Sequence, residues 1–174
     1  MSSQIERWVL PVLAMTLVVV ASNILVQYPI NDWLTWGAFT YPVAFLVTDL
    51  TNRRFGPTMA RRVALVGFAL AVVLSIWLAT PRIALASGAA FLSAQLLDVA
   101  IFNRLRDQSW WQAPLVSSAL ASAWDTALFF SLAFAFTGLP WVTWAIGDFA
   151  AKMTMALILL LPFRFLMGRR PATA

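Results

Sequence analysis

The chain has 174 residues, 61% of them hydrophobic and only 11% charged, with a mean hydropathy of +0.81. A soluble domain lies nearer half apolar and a quarter charged, so this composition is that of an integral membrane protein. Cysteine and histidine are both absent, which excludes disulfides, Cys/His zinc sites, thiol nucleophiles and histidine-based triads.

A membrane-spanning helix needs about 20 mostly apolar residues, and six such stretches follow one another along the chain. The first, over 8–27, contains "LPVLAMTLVVVAS" and ends near Asn23. It resembles a signal-peptide core with cleavage after Ala21, but Glu6 cancels Arg7 and the apolar run continues through "NILV". A retained span is therefore expected. The second, over 37–52, is short. "GAFTYPVAFLVTDL" carries Pro42 inside and Asp49 near its end, so a kinked, broken or partly re-entrant helix is expected. The third covers 61–80, the fourth 84–103, the fifth 114–136 and the sixth 141–163. Short links make neighbours antiparallel. The predicted fold is all-α: one bundle of six transmembrane helices, with residues 1–174 forming a single polytopic domain.

The net charge of +5 could signal a nucleic-acid partner. The position of the charges argues otherwise. With the N-terminus inside, cytoplasmic segments hold Arg7, then Arg53, Arg54, Arg61 and Arg62, then Arg104 and Arg106, then Arg164, Arg169 and Arg170. The outer loops hold only Arg82. The positive-inside rule places both termini in the cytoplasm, and no nucleic acid is expected as a partner. Trp8, Trp33, Trp36, Trp110, Trp111, Trp141 and Trp144 fall at span ends, where interfacial aromatics belong.

The informative residues are polar ones inside apolar helices. They are Asn23; Thr48, Asp49 and Asn52; Gln95 and Asp98; Ser118, Ser122 and Asp125; and Asp148 with Lys152. An Asp or Lys at mid-membrane costs about 2.5–3.5 kcal/mol. Four carboxylates and a lysine facing lipid would cost roughly 12–17 kcal/mol, comparable to the whole stability of a domain at about 5–15 kcal/mol. These side chains must therefore converge inside the bundle. Asp148 and Lys152 stand four apart, the order of a helical ion pair, and a purely structural role suits them equally well. Asp49 precedes Arg53 by four, which suits either a topology-fixing pair or a substrate contact. Asn23 and the serines suit helix–helix hydrogen bonding.

Gln95, Asp98 and Asp125 are harder to explain structurally. Neither aspartate has a cation within four residues on its own helix. Lys152 could serve one of them across the bundle, but not both fully. "AQLLDVAIF" (94–102) and "ASAWDTALF" (121–129) align with their aspartates matched, so consecutive helices each bring a mid-span carboxylate. A carboxylate accepts through two parallel oxygens, a match for a ring N–H beside an exocyclic NH₂. Gln95 can complete the set, with Trp124 or a phenylalanine such as Phe91 stacking on a flat ring. Proton- or sodium-linked transport uses the same residue types, so the chemistry alone names no substrate.

Four segments resemble the queuosine precursor transporters, six-helix vitamin-uptake-type proteins that import 7-cyano-7-deazaguanine (preQ0) and related 7-deazaguanines. They are "YPVAFLVTDLTNRRFG" (41–56), "ASGAAFLSAQLLDVAIFNRLR" (86–106), "SSALASAWDTALFFSLAF" (117–134) and "KMTMALILLLP" (152–162). With Asn23-Ile24 they cover most of the chain in the family's order. The resemblance implies that Asn23, Asp49, Asn52, Gln95, Asp98, Asp125 and Lys152 line the transport site. The fifth helix departs from the family pattern. Where an asparagine and a glutamine usually precede the aspartate, this chain has Ser117, Ser118, Ala121, Ser122 and Ala123.

The expected function is thus import of a small-molecule 7-deazapurine through a bacterial inner membrane, with no catalytic residues and no cofactor. The substrate set comprises Gln95, Asp98, Asp125, Asn23, Asp49, Asn52, Lys152, Trp124, Phe91 and Ser122. A substrate-binding membrane subunit that needs an energising partner complex is the alternative, and a membrane-embedded enzyme using paired aspartates is a third. A homodimer and such a partner complex both remain open.

Overall fold

The computed structural model describes residues 2–75 and 81–167. Helix α1 is Ser2–Leu25, α2 Gly37–Thr40, α3 Pro42–Phe55, α4 Pro57–Ser75, α5 Pro81–Leu105, α6 Gln112–Phe134 and α7 Trp141–Met167. No β-strand occurs among the described residues; one isolated bridge pairs Pro29 with Thr35 in the loop after α1. Among the described residues, four helices are long and apolar enough to cross a membrane: α1 from Trp8, α5, α6 and α7. The last part of the predicted third span (76–80) lies outside the described residues, as do Arg169 and Arg170.

The predicted second span is divided at Tyr41 into α2 and α3. Pro42 has no N–H to give, so one helical hydrogen bond is missing. Tyr41 nevertheless keeps helical dihedrals (φ −59°, ψ −40°), and the segment is interrupted without a sharp turn. The divided helix is also the centre of the bundle, because α3 packs against every other helix. A helix walled by protein rather than lipid can carry polar side chains. Thr48, Asp49, Thr51 and Asn52 are all buried there. The apolar residues face the other way: Leu10, Leu13 and Leu17 of α1, Leu85 of α5 and Leu161 and Phe165 of α7 project outward. Apolar outside and polar inside is the arrangement lipid imposes.

Contacts fix the helix directions. Thr48 meets Gln95 and Asn52 meets Val99, so α3 and α5 run parallel. Ser93 meets Trp124 and Arg82 meets Leu132, while Asp125 meets Lys152 and Phe134 meets Trp144, so α6 is antiparallel to both α5 and α7. Small residues permit close approach. A Cβ on Gly67 of α4 would fall 2.5 Å from Met15 of α1. One end of the bundle gathers arginines against helix ends. Arg53 donates to the Arg106 carbonyl, Arg54 to that of Leu166, and the Arg164 guanidinium lies 5.0 Å from the centre of the Trp110 ring. At the opposite end Arg82 donates to the Leu132 carbonyl in the last turn of α6 (2.9 Å) and to that of Ala135 just beyond it (2.7 Å).

Candidate functional site

Polar side chains form three layers through the bundle interior. The middle layer is built on Lys152 of α7. Its ammonium lies 2.7 Å from Asp125 Oδ2 on α6, 2.6 Å from Asp148 Oδ2 one turn away, and 3.1 Å from Thr126 Oγ1. These contacts occupy all three ammonium protons. Thr126 donates to Asp148 (2.8 Å), and the Tyr41 hydroxyl donates to Asp125 Oδ1 (2.8 Å). The ammonium also stands 4.9 Å from the centre of the Tyr41 ring, a cation–π contact that gains strength away from water. Lys152 therefore serves both carboxylates of this layer, and the expected i,i+4 pair is one of the two ion pairs of a triad.

The layer nearer the arginine-rich end is different. Asp49 of α3 lies beside Asp98 of α5, with Ser117 and Ser118 of α6 adjoining. Ser118 donates to Asp49 Oδ2 at 3.4 Å. Asn52 Nδ2 reaches the Val99 carbonyl at 3.4 Å, and the Thr48 hydroxyl anchors one side of the Gln95 carboxamide. Gln95 and Asp98 are fully buried. Yet both oxygens of Asp98, Asp49 Oδ1, Asn52 Oδ1 and Gln95 Nε2 make no well-formed hydrogen bond to any described residue, although the Asp49 carboxyl and the Ser117 hydroxyl stand within reach of Asp98. Nor does any ion pair reach Asp98 there. Buried polar atoms are normally satisfied, and each exception requires an explanation. Four acceptors and one donor left over in one place form a set able to hold a ligand.

The third layer lies toward the opposite end. Ser87 donates to Asn23 Oδ1 and Ser22 to Thr40 Oγ1, both at 2.9 Å. A space of about 30 Å³ lies between this layer and the middle one, lined by Asn23, Tyr41, Asp125 and Lys152 among others. A second, of about 20 Å³, lies between Lys152 and Asp49, with Ser118 and Ser122 in its wall. Each is the size of one or two waters.

Of the ten residues singled out from the sequence, the interior layers contain Asn23, Asp49, Asn52, Gln95, Asp98, Asp125 and Lys152, and Ser122 is buried beside them. Trp124 is 50% exposed on the outer face of α6, its indole N–H donating to Ser93 (2.9 Å). Phe91 is packed in the core, stacked on Phe68 and edge-on to Tyr41. Tyr41 and Thr126 carry much of the middle layer without having been singled out as site residues. The signals available were their places in the segments that resemble the family: Tyr41 opens the 41–56 segment just before Pro42, and Thr126 follows Asp125 in the 117–134 segment.

An apolar-sheathed helical bundle with a polar, charged interior is the architecture of an integral membrane protein. Residues 35–80 and 74–167 match the profile of a family described as "Putative vitamin uptake transporter", and the chain belongs to that family. It is 37% identical to the queuosine precursor transporter of Escherichia coli over 84% of this chain and 79% of that protein. It is 34% identical to the "Probable queuosine precursor transporter" of Haemophilus influenzae over 83% of this chain and 79% of that one. A Bacillus subtilis protein of the same name is 27% identical over 71% of this chain and 67% of its own length. No solved structure matches the chain at the same level of significance.

Proposed function

We propose that the protein imports queuosine precursors across the bacterial inner membrane, with 7-cyano-7-deazaguanine or a related 7-deazaguanine as substrate. The observation that carries this reading is the unsatisfied set on α3 and α5: acceptors on Asp49, Asn52 and Asp98, and a donor on Gln95. A 7-deazaguanine edge presents a ring N–H beside an exocyclic NH₂, and a ring carbonyl next to them. The Asp98 carboxylate takes the N–H fork through its two oxygens, and Gln95 Nε2 gives to the carbonyl. Analogues lacking either group are rejected, because they leave buried partners unpaired. The names of the relatives support the same substrate class.

Six spans with the arginine-rich end and both termini in the cytoplasm follow from the positive-inside rule. The interior spaces of about 20 and 30 Å³ are far below the roughly 300 Å³ of small-molecule sites. The helices must therefore part to admit a bicyclic ring, from one side and then the other. Lys152 holds the middle layer shut, and its ion pairs open as the ligand passes. The substrate emerges chemically unchanged.

The test is uptake by the purified protein in lipid vesicles, screened with preQ0, preQ1, queuine and guanine. Saturable uptake of a 7-deazaguanine, recovered unaltered, is expected. Failure to take up any of them refutes the assignment as a self-sufficient importer. Uptake that appears only with an added energising complex would make the chain a substrate-binding subunit instead.

A further inference from the structure

Beyond the polar layers, at the end opposite the arginine-rich one, lies a third space of about 300 Å³, ten times the neighbouring space of about 30 Å³. Its walls include Val26, Thr35, Phe130, Phe134, Leu139 and Trp144, and no charged side chain lines it. The rings are arranged as a box. Phe134 stands edge-on to Trp144, with centroids 5.6 Å apart and planes at 83°, and Phe130 flanks Phe134 at 5.8 Å. The indole Nε1 of Trp144 is buried and finds no acceptor among the described residues. The loop between α1 and α2 forms the roof. Thr143 of α7 donates to the Asp32 carbonyl (3.2 Å), and the Trp33 carbonyl presses on Gly147 so closely that a Cβ there would lie 1.9 Å away.

The three spaces are joined by shared walls. Val26 lines both the large space and the one at Asp125, and Lys152 lines both that space and the one at Asp49. They form a series from the roofed end to the unsatisfied carboxylates.

From the proposed import function, we infer that the aromatic chamber is a first binding station for the substrate, separate from the deep polar pocket. Its occupant is a neutral planar heterocycle with an acceptor atom on its edge. The ring lies against Phe134 and Phe130, and Trp144 Nε1 donates to that acceptor. Stacking on an aromatic platform tolerates any flat ring, and the indole N–H, with Gln27 and Thr35 also in the wall, selects rings with an acceptor. The carboxylates further in then read the donor fork. Selection therefore occurs in two steps along one route.

The experiment compares the full-length protein with Trp144→Phe, which keeps the ring and removes the N–H, and with Phe134→Leu, which removes the ring. In vesicle uptake of preQ0, the half-saturating concentration should rise by about fivefold for Trp144→Phe, the worth of one hydrogen bond, while the maximal rate is retained. Equilibrium fluorescence supplies a second reading. In an Asp98→Asn background preQ0 should still quench emission from Trp144, taken as the difference between Asp98→Asn and Asp98→Asn/Trp144→Phe. Unchanged half-saturation in both single variants, or loss of that quench with the deep pocket disabled, overturns the chamber and leaves the import function standing. Wild-type protein that neither takes up preQ0 nor changes its emission removes both.

Discussion

Lys152 and Asp98 show what burial does to a charge under opposite conditions. Lys152 has two carboxylates, a hydroxyl and an aromatic face around it, whereas no ion pair reaches Asp98 among the described residues. Removing one member of a buried charge group costs about 3–5 kcal/mol, because the partners are left uncompensated. Lys152→Met should therefore abolish uptake and lower thermal stability, while the protein still inserts and is recovered from membranes. Normal uptake by that variant would contradict a role for the lysine in transport. Tyr41→Phe removes one hydrogen bond to a charged acceptor, a loss of about 1.5–3 kcal/mol. Its melting temperature should fall, and an unchanged value would mean that the 2.8 Å contact to Asp125 contributes nothing. The sequence made Asp125 and Lys152 visible, since a charge in an apolar run is conspicuous. It did not make Tyr41 visible, because a tyrosine near a span end is ordinary and its partner lies 84 residues away.

At the scale of elements, α3 decides the architecture. Its proline, its shortness and its polar half were legible as an anomaly among greasy spans, and each follows from enclosure by the other helices. What was not legible was depth. The matched segments around Asp98 and Asp125 suggest equivalent positions, but α5 and α6 are antiparallel, with Ser93 opposite Trp124. At 1.5 Å per residue this sets the two carboxylates about 9 Å apart along the bundle, in different layers. Only the register of the two helices decides that offset, and periodicity within one helix does not contain it. Gly147 belongs to this scale as well. With the Trp33 carbonyl 1.9 Å from where its Cβ would be, Gly147→Ala should push the roof loop away. The cysteine-free chain offers a clean test. A thiol placed at position 33 should label faster in the Gly147→Ala background, and an equal rate would mean that the loop is not held there.

The whole molecule is polarised. Guanidinium groups at one end hold helix carbonyls and a tryptophan ring, and at the other end a tryptophan-rich loop covers an aromatic chamber. Single thiols at Ser109 and Thr137, which lie in the turns at opposite ends, report the orientation. The residue at 137 should react with an impermeant reagent from outside intact cells and the residue at 109 should not; the reverse pattern would invert the proposed direction. The central question is whether the unsatisfied atoms of α3 and α5 hold the substrate. Equilibrium binding of preQ0 to purified wild-type and Asp98→Asn protein answers it most directly. A charged fork lost from a buried site costs about 2–5 kcal/mol, so the variant should bind at least tenfold more weakly while remaining folded. Equal affinity in the two proteins would contradict the pocket.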